Sequence, residues 1–247
     1  MIELQDLRLS YDRHRVLDGI NFCAHFHEKI AILGESGEGK TTLLKLLLCL
    51  ARPDSGRIVI DGQDITFLPE SKLRQSRMKF SIVFQEGALF DSLDVRENVA
   101  FCMREFSTLS EEEIENKVRG LLRRVGIEEA IDLMPDELSG GMQRRVAMAR
   151  SLAGCEPEMM LYDEPTSGLD PITADNICNL INELSSGSPT ERRGLIIVTH
   201  DVEAAARVAE RFLYLKDGKI VFDGGLDALT HTGHPGLRKF IKEILPR

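Results

Sequence analysis

Gly34-Glu35-Ser36-Gly37-Glu38-Gly39-Lys40-Thr41-Thr42 decides how this chain is read. The stretch fits the phosphate-loop pattern G-x-x-x-x-G-K-[ST]. Before it, Ile30-Ala31-Ile32-Leu33 is a short apolar run, read as a buried strand. After it, Thr42 to Leu50 reads as a helix, with Leu43, Leu44, Leu46, Leu47, Leu48 and Leu50 around Lys45. Strand, glycine-rich turn and helix start form the context the motif requires. Gly34, Gly37 and Gly39 let the backbone curl, so that N–H groups from Glu35 and Ser36 onward can point at phosphate oxygens. The helix N-terminus adds partial positive charge there. Lys40 would neutralise β- and γ-phosphates, and the Thr41 hydroxyl would hold Mg²⁺.

Composition sets the limits. The chain has 247 residues, 43% of them apolar, enough for one large α/β core or a core with an insert. Its 31 basic and 40 acidic residues give a net charge of −9, which offers no electrostatic case for nucleic acid as a partner. A phosphate ligand must then be met by local donors. No apolar run approaches the ~18 residues of a membrane span. The start, Met1-Ile2-Glu3-Leu4, lacks the basic and apolar character of a secretory leader. Cysteines 23, 49, 102, 155 and 178 form no C-x-x-C pair and read as reduced, buried thiols of a cytosolic protein, with metal binding as the alternative.

Toward the N-terminus, Ile2–Leu4 and Leu7–Leu9 show strand alternation, and Ile20, Phe22, Ala24 and Phe26 alternate with Asn21, Cys23, His25 and His27. The two histidines fall on the outer face of that strand and read as solvated, with a zinc site as the alternative. A small antiparallel sheet thus feeds a parallel core. Tyr11 lies in a polar loop between these strands; it is either an ordinary loop aromatic or a platform for a nucleotide base. Pro53–Gly56 is a turn, Arg57–Ile60 a strand, and Asp61-Gly62 a hairpin turn. Phe80–Phe84 is a further apolar strand ending in Gln85, where α/β proteins place side chains that face a ligand.

From Glu86 to Cys155 strand signals vanish. Val95–Phe106 is helical in pattern, and Ser110-x-x-Glu113 is a capping-box signature opening a helix to about Val125. Leu138-Ser139-Gly140-Gly141-Met142-Gln143 then leads into a strong helix former, Arg144–Arg150. The region reads as a helical insert in a phosphate-loop core. Met159–Asp163 is again an apolar strand ending in an acid. Asp163 would hold Mg²⁺, and the adjacent Glu164 could polarise an attacking water. Pro165–Pro171 is a rigid loop capping a helix to about Leu184, and Ser185–Gly194 a flexible link. Leu195–Thr199 is a buried strand ending in His200, which could donate to a γ-phosphate oxygen. Phe212–Leu215 and Lys219–Phe222 flank an Asp217-Gly218 hairpin turn, with a helical tail beyond Gly225.

The phosphate loop at 34–42, Gln85, Leu138–Gln143, Asp163-Glu164, Ser167-Gly168-Leu169-Asp170 and His200 resemble, in order, the motifs of ABC-type ATPases. These are the Walker A, Q-loop, signature, Walker B with catalytic glutamate, D-loop and H-loop, and the match runs over residues 1 to 225. Tyr11 then resembles the family's A-loop aromatic. Glu38 departs from the small polar residue common in this loop and adds negative charge beside the phosphates. Met142 replaces a frequent glutamine.

The resemblance implies an α/β fold: a P-loop NTPase (RecA-like) core with an N-terminal antiparallel β subdomain and an inserted α-helical subdomain. Residues 1–85 and 156–225 would form the nucleotide-binding core, 86–155 the helical signature subdomain, and 226–247 a C-terminal tail. It implies ATP and Mg²⁺ as cofactors. Nucleotide would be bound by Tyr11, Gly34, Glu35, Ser36, Gly37, Gly39, Lys40, Thr41, Thr42 and Gln85. The metal would be held by Thr41, Gln85 and, through water, Asp163. Catalysis would fall to Glu164, His200 and Lys40, with Asp170 in the D-loop. Ser139, Gly140, Gly141 and Gln143 would complete the ATP site of a second copy in a head-to-tail homodimer, since a helix opening there makes an anion site. The driven process is then transport through a separate integral-membrane permease, from the cytoplasmic side of the inner membrane. Gln85–Val99, Leu161–Pro165 and Gly168–Thr173 resemble the ATPases of Mce/Mla-type phospholipid transport systems, which work with an MCE-type lipid-binding protein. Leu89 and Phe90 would line a groove for a permease helix, or simply belong to the core of the insert. Alternative readings are a small-solute, amino-acid-type importer and a cell-division ATPase.

Overall fold

A computed structural model describes residues 1–12, 14–153, 157–186 and 193–244. The N-terminal strands are β1 (Ile2–Tyr11) and β2 (His14–Ala24), followed by β3 (Lys29–Leu33) and α1 (Lys40–Leu47). Next come β4 (Ser55–Ile60), β5 (Gln63–Asp64), α2 (Glu70–Arg77) and β6 (Phe80–Val83). Three helices succeed one another: α3 (Val95–Phe106), α4 (Glu111–Arg124) and, after two 3-10 turns, α5 (Gly140–Ala153). The chain then alternates through β7 (Met159–Asp163), α6 (Pro171–Ser185), β8 (Gly194–Thr199) and α7 (Val202–Val208). It closes with β9 (Arg211–Lys216), β10 (Lys219–Gly225), α8 (Leu226–Thr230) and α9 (Pro235–Ile244). No helix among the described residues is long and apolar enough to cross a membrane.

Two sheets result. One is antiparallel, in the order β2-β1-β4-β5; the other runs β10-β9-β3-β8-β7-β6, with β9, β3, β8, β7 and β6 all parallel. Alternation along β3 feeds two cores. Ile30 and Ile32 face a cluster that holds Leu43, Leu44, Leu46 and Leu47 of α1 and the antiparallel sheet's Ile2, Leu4 and Phe22. Ala31 and Leu33 face a second cluster built with α3 to α7. A sheet buried on both faces explains the unbroken apolar runs Met159–Leu161 and Leu195–Val198.

Several expectations are corrected. Ile2–Leu4 and Leu7–Leu9 are one strand, interrupted by an irregularity where Asp6 takes φ 47°. The backbone of β4 presses on that spot: a Cβ on Gly56 would lie 2.4 Å from the Asp6 carbonyl oxygen. Tyr11 is the last residue of β1, paired with His14, rather than part of a loop between strands. Alternation carries into the turn after β2, so His25 and His27 are not on a strand face; they stack at 5.4 Å beyond its end. The first helix begins at Lys40 and stops at Leu47, because Cys49 turns to φ 55°. Helices α2 and α7 carry no periodic signal in the sequence. Cys23 is exposed, Cys49 and Cys102 are half-buried, and Cys178 is buried, so a uniformly buried set does not hold. Cys155 and positions 187–192 of the expected link lie outside the described residues.

Candidate active site

Parallel register brings the functional side chains to one edge. Leu33 pairs with Thr199 and Tyr214, Asp163 with Val198, and Val83 with Tyr162. The residues that follow each strand, Gly34, His200, Glu164 and Gln85, therefore emerge at the same carboxyl end. There an open cavity of about 340 Å³ is lined by Val16, Ser36, Gly37, Gly39, Lys40, Thr41, Thr42, Gln85 and Glu164.

The loop is shaped by Gly37 at φ 88° and Gly39 at φ 95°. Gly39 precedes α1, and a Cβ there would meet Val16 Cγ1 at 2.9 Å. Lys40 is buried and donates to the carbonyls of Gly34 (2.8 Å) and Glu35 (3.0 Å), with Glu164 Oε1 at 3.4 Å. The Thr41 hydroxyl donates to Asp163 Oδ1 at 2.9 Å. Burial pushes the Asp163 carboxyl above its usual range, against the lowering effect of that hydrogen bond.

Glu164 holds a left-handed backbone (φ 47°) while its N–H donates to the Val198 carbonyl at 2.9 Å. Its Oε2 accepts from the Thr199 hydroxyl at 3.0 Å, and His200 Nδ1 lies 3.0 Å away. So one carboxylate oxygen is fixed by β8 while the other faces Lys40. Hydroxyl, carboxylate and amide oxygens around Thr41, Asp163 and Gln85 are the hard donors a divalent cation takes. The residues present fit a Mg²⁺-bound polyphosphate.

The signature residues are elsewhere. None of Ser139, Gly140, Gly141 and Gln143 lines the cavity. Ser139 Oγ accepts from the Met142 N–H at 3.3 Å, capping α5, and a Cβ on Gly141 would meet Thr173 Cγ2 at 2.7 Å. Gln143 turns inward and donates to the Pro135 carbonyl at 2.8 Å. Asp170 caps α6, accepting from the N–H groups of Ile172 and Thr173 at 3.1 Å each; hydrogen bonds from Thr173 hold its carboxyl below the usual range. Tyr11 is 47% exposed and is not among the cavity-lining residues. Leu89 packs on the helical core, whereas Phe90 is exposed and tilts on Phe101 at 4.7 Å.

A family model described as ABC transporter matches residues 17–167. The chain belongs to the ABC transporter family, as its ATP-hydrolysing cassette. This cassette is 37% identical over 244 residues to the intermembrane phospholipid transport system ATP-binding protein MlaF of Escherichia coli strain K12, covering 99% of the chain and 89% of that protein. It is also 38% identical over 243 residues to the methionine import ATP-binding protein MetN of Legionella pneumophila strain Lens, covering 98% and 69%. Among solved structures, the dimeric post-hydrolysis state of the ATP-binding cassette MJ0796 bound to ADP and Pi superposes with a TM-score of 0.82 at 32% identity, covering 92% of this chain and 99% of that one.

Four residues of the cassette's site escaped the sequence. Thr199 ends an apolar strand pattern and Val16 sits among His14, Arg15, Leu17 and Asp18, and neither carries a chemical signal. Arg144 is buried and donates to the carbonyls of Pro165 (2.5 Å) and Ser167, tying α5 to the turn after Glu164; burial lowers its guanidinium pKa. Lys216 bonds to the phosphate loop across the sheet.

Proposed function

We propose that this cassette energises the movement of phospholipid or a related lipid through a separate membrane-embedded permease. Two copies, bound to the cytoplasmic side of the inner membrane, would work with an MCE-type lipid-binding protein. The observation that carries the reading is likeness to MlaF over nearly the whole of both chains.

Lys40 and the loop N–H groups bind the polyphosphate. Thr41, Gln85 and, through water, Asp163 would hold Mg²⁺. When bound, the ion neutralises charge on the phosphate oxygens. Glu164 orients and polarises the attacking water, with Thr199 and His200 holding the carboxylate in place and His200 reaching toward the γ-phosphate. Tyr11 offers its exposed ring to the base. The N-terminus of α5, at Ser139–Gly141, meets the nucleotide of the second copy, with Gln143 and Asp170 supporting that face. ATP would then glue two copies together, and its hydrolysis would release them. The dimeric MJ0796 cassette supports this arrangement.

The membrane partner has a candidate seat. A cavity of about 780 Å³ lies between α2 and α3, walled by Met78, Cys102 and Phe106 and by the Glu70–Arg77 ion pair, with the Arg74 guanidinium 5.2 Å above the Phe106 ring. An amphipathic permease helix with an acidic side chain fits such walls. Methionine or another small solute is the second reading, favoured by a comparable likeness to MetN. Purifying the cassette with its native permease separates the two. Phospholipid in the complex, and lipid-dependent ATPase activity lost in Phe106→Asp, is the expected result. A soluble amino-acid-binding partner without lipid would overturn the lipid reading.

A further inference from the structure

The phosphate loop of this chain carries two carboxylates, Glu35 and Glu38, beside a cradle built to receive a polyanion. Such charges in a nucleotide loop would repel the ligand unless something holds or screens them. The structure shows what does. Lys216, the last residue of β9, places its ammonium 2.8 Å from Glu38 Oε1 and 3.2 Å from Glu35 Oε1. The Asp217 N–H donates to Glu38 Oε2 at 2.6 Å. Both oxygens of Glu38 are thus engaged away from the cavity, and its side chain is 13% exposed against 59% for Glu35.

The turn that provides these donors is itself anchored. Asp217 (φ 48°) and Gly218 (φ 70°) form the β9–β10 bend, and the Gly218 carbonyl accepts the Asp18 N–H at 2.8 Å. A Cβ on Gly218 would lie 2.9 Å from the Val16 carbonyl oxygen, so turn and β2 are in close contact at the segment that lines the nucleotide cavity. On the other side, a Cβ on Gly34 would lie 2.8 Å from the Leu215 carbonyl oxygen. Loop, turn and β2 meet within one contact layer. Glu38 sits between two left-handed glycines, the softest part of the loop.

We propose that Glu38 and Lys216 form a clasp that positions the phosphate loop: Glu38 ties the loop to the β9–β10 turn, and Lys216 screens its charge from the incoming triphosphate. Neither residue touches the cavity; both act through the loop backbone and its field. The hydrogen bonds that Lys216 donates to Glu38 and Glu35 raise its ammonium pKa.

The test compares nucleotide affinities of wild type, Lys216→Met, Lys216→Arg, Glu38→Gln and the double variant Lys216→Met/Glu38→Gln, with ATP and ADP in excess Mg²⁺. Lys216→Met leaves the Glu38 and Glu35 carboxylates beside the phosphates without their shared cation. It should weaken ATP by about tenfold and ADP by about threefold, the scale of one unscreened charge near a surface site. In turnover the loss should fall mainly on KM, and it should shrink as salt is raised. Lys216→Arg should recover most of the affinity. So should adding Glu38→Gln to Lys216→Met, since the buried one of the two unpaired charges is then gone and only the solvent-screened Glu35 remains. Equal losses for ATP and ADP, or a double variant as weak as Lys216→Met, would overturn the screening role. Thermal melts of each variant separate loss of fold from loss of affinity.

Discussion

Glu164 spends conformational energy to stand where it does. A non-glycine residue at φ 47° costs about 1–3 kcal/mol, offset here by the bonds its backbone makes to Val198 and its carboxylate makes to Thr199. The role proposed for Glu164, orienting water, sets the first test. Glu164→Gln is expected to keep ATP affinity and lose hydrolysis by about 10²-fold or more, measured as phosphate release against nucleotide binding. Lys40→Ala should instead lose nucleotide binding. Asp163 gives a different signature. Burial raises its pKa in the folded chain, so the folded state gives up its proton less readily than the unfolded chain does. The ionised carboxylate therefore lowers the stability of the nucleotide-free protein at neutral pH. That penalty fades as pH falls through the raised pKa and is gone below the unfolded value near ~3.9. Asp163→Asn should melt higher than wild type at pH 7, by about 2–4 °C for each kcal/mol recovered. The gap should narrow as the pH is lowered. A gap that widens in acid would contradict the burial argument.

At the scale of elements, what the sequence made legible followed from signals that local physics enforces. The β3–loop–α1 unit was readable because an apolar run, three glycines and a leucine-rich stretch follow without a break. Helix α4 was readable from Ser110 and Glu113, whose reciprocal capping box is present as expected. Ser110→Ala should cost about 1 kcal/mol, read as a shift in the denaturant midpoint. Helix α2 was not readable: over Glu70–Arg77 it buries only Leu73 and Ser76, and the rest is charged or polar. Its docking comes from Arg77, which donates to the Leu48 and Cys49 carbonyls, a tertiary contact no local pattern announces. Helix α7 is too short and alanine-rich for a periodic signal, and is set by the Asp201 cap. In the site, Lys40, Thr41 and Asp163 carried motif signals. The pairing of Glu164 with Thr199 and His200 did not, because it depends on the parallel register of β7 and β8. Arg144 and Lys216 likewise act across long stretches of chain, where only the fold reveals a partner.

On the scale of the whole molecule, the separation of Ser139–Gly141 from the phosphate loop is the decisive geometry. None of Ser139, Gly140 and Gly141 lines the chain's own cavity, and in the proposed dimer a second copy would supply the nucleotide that this helix N-terminus meets. Arg144 links that helix to the Pro165 and Ser167 carbonyls of the turn after Glu164, so the proposed signature and the proposed water-orienting carboxylate share a direct structural tie within each copy. The account accordingly stands on ATP-dependent pairing of two cassettes. The measurement that tests it most directly is sedimentation velocity of Glu164→Gln with and without Mg-ATP, run beside the activity of wild type as protein concentration is raised. The expected result is a dimer that forms only with Mg-ATP and is abolished by adding Ser139→Arg, together with wild-type specific activity that rises with concentration. A wild-type species that hydrolyses ATP while remaining monomeric throughout, with specific activity independent of concentration, would contradict it.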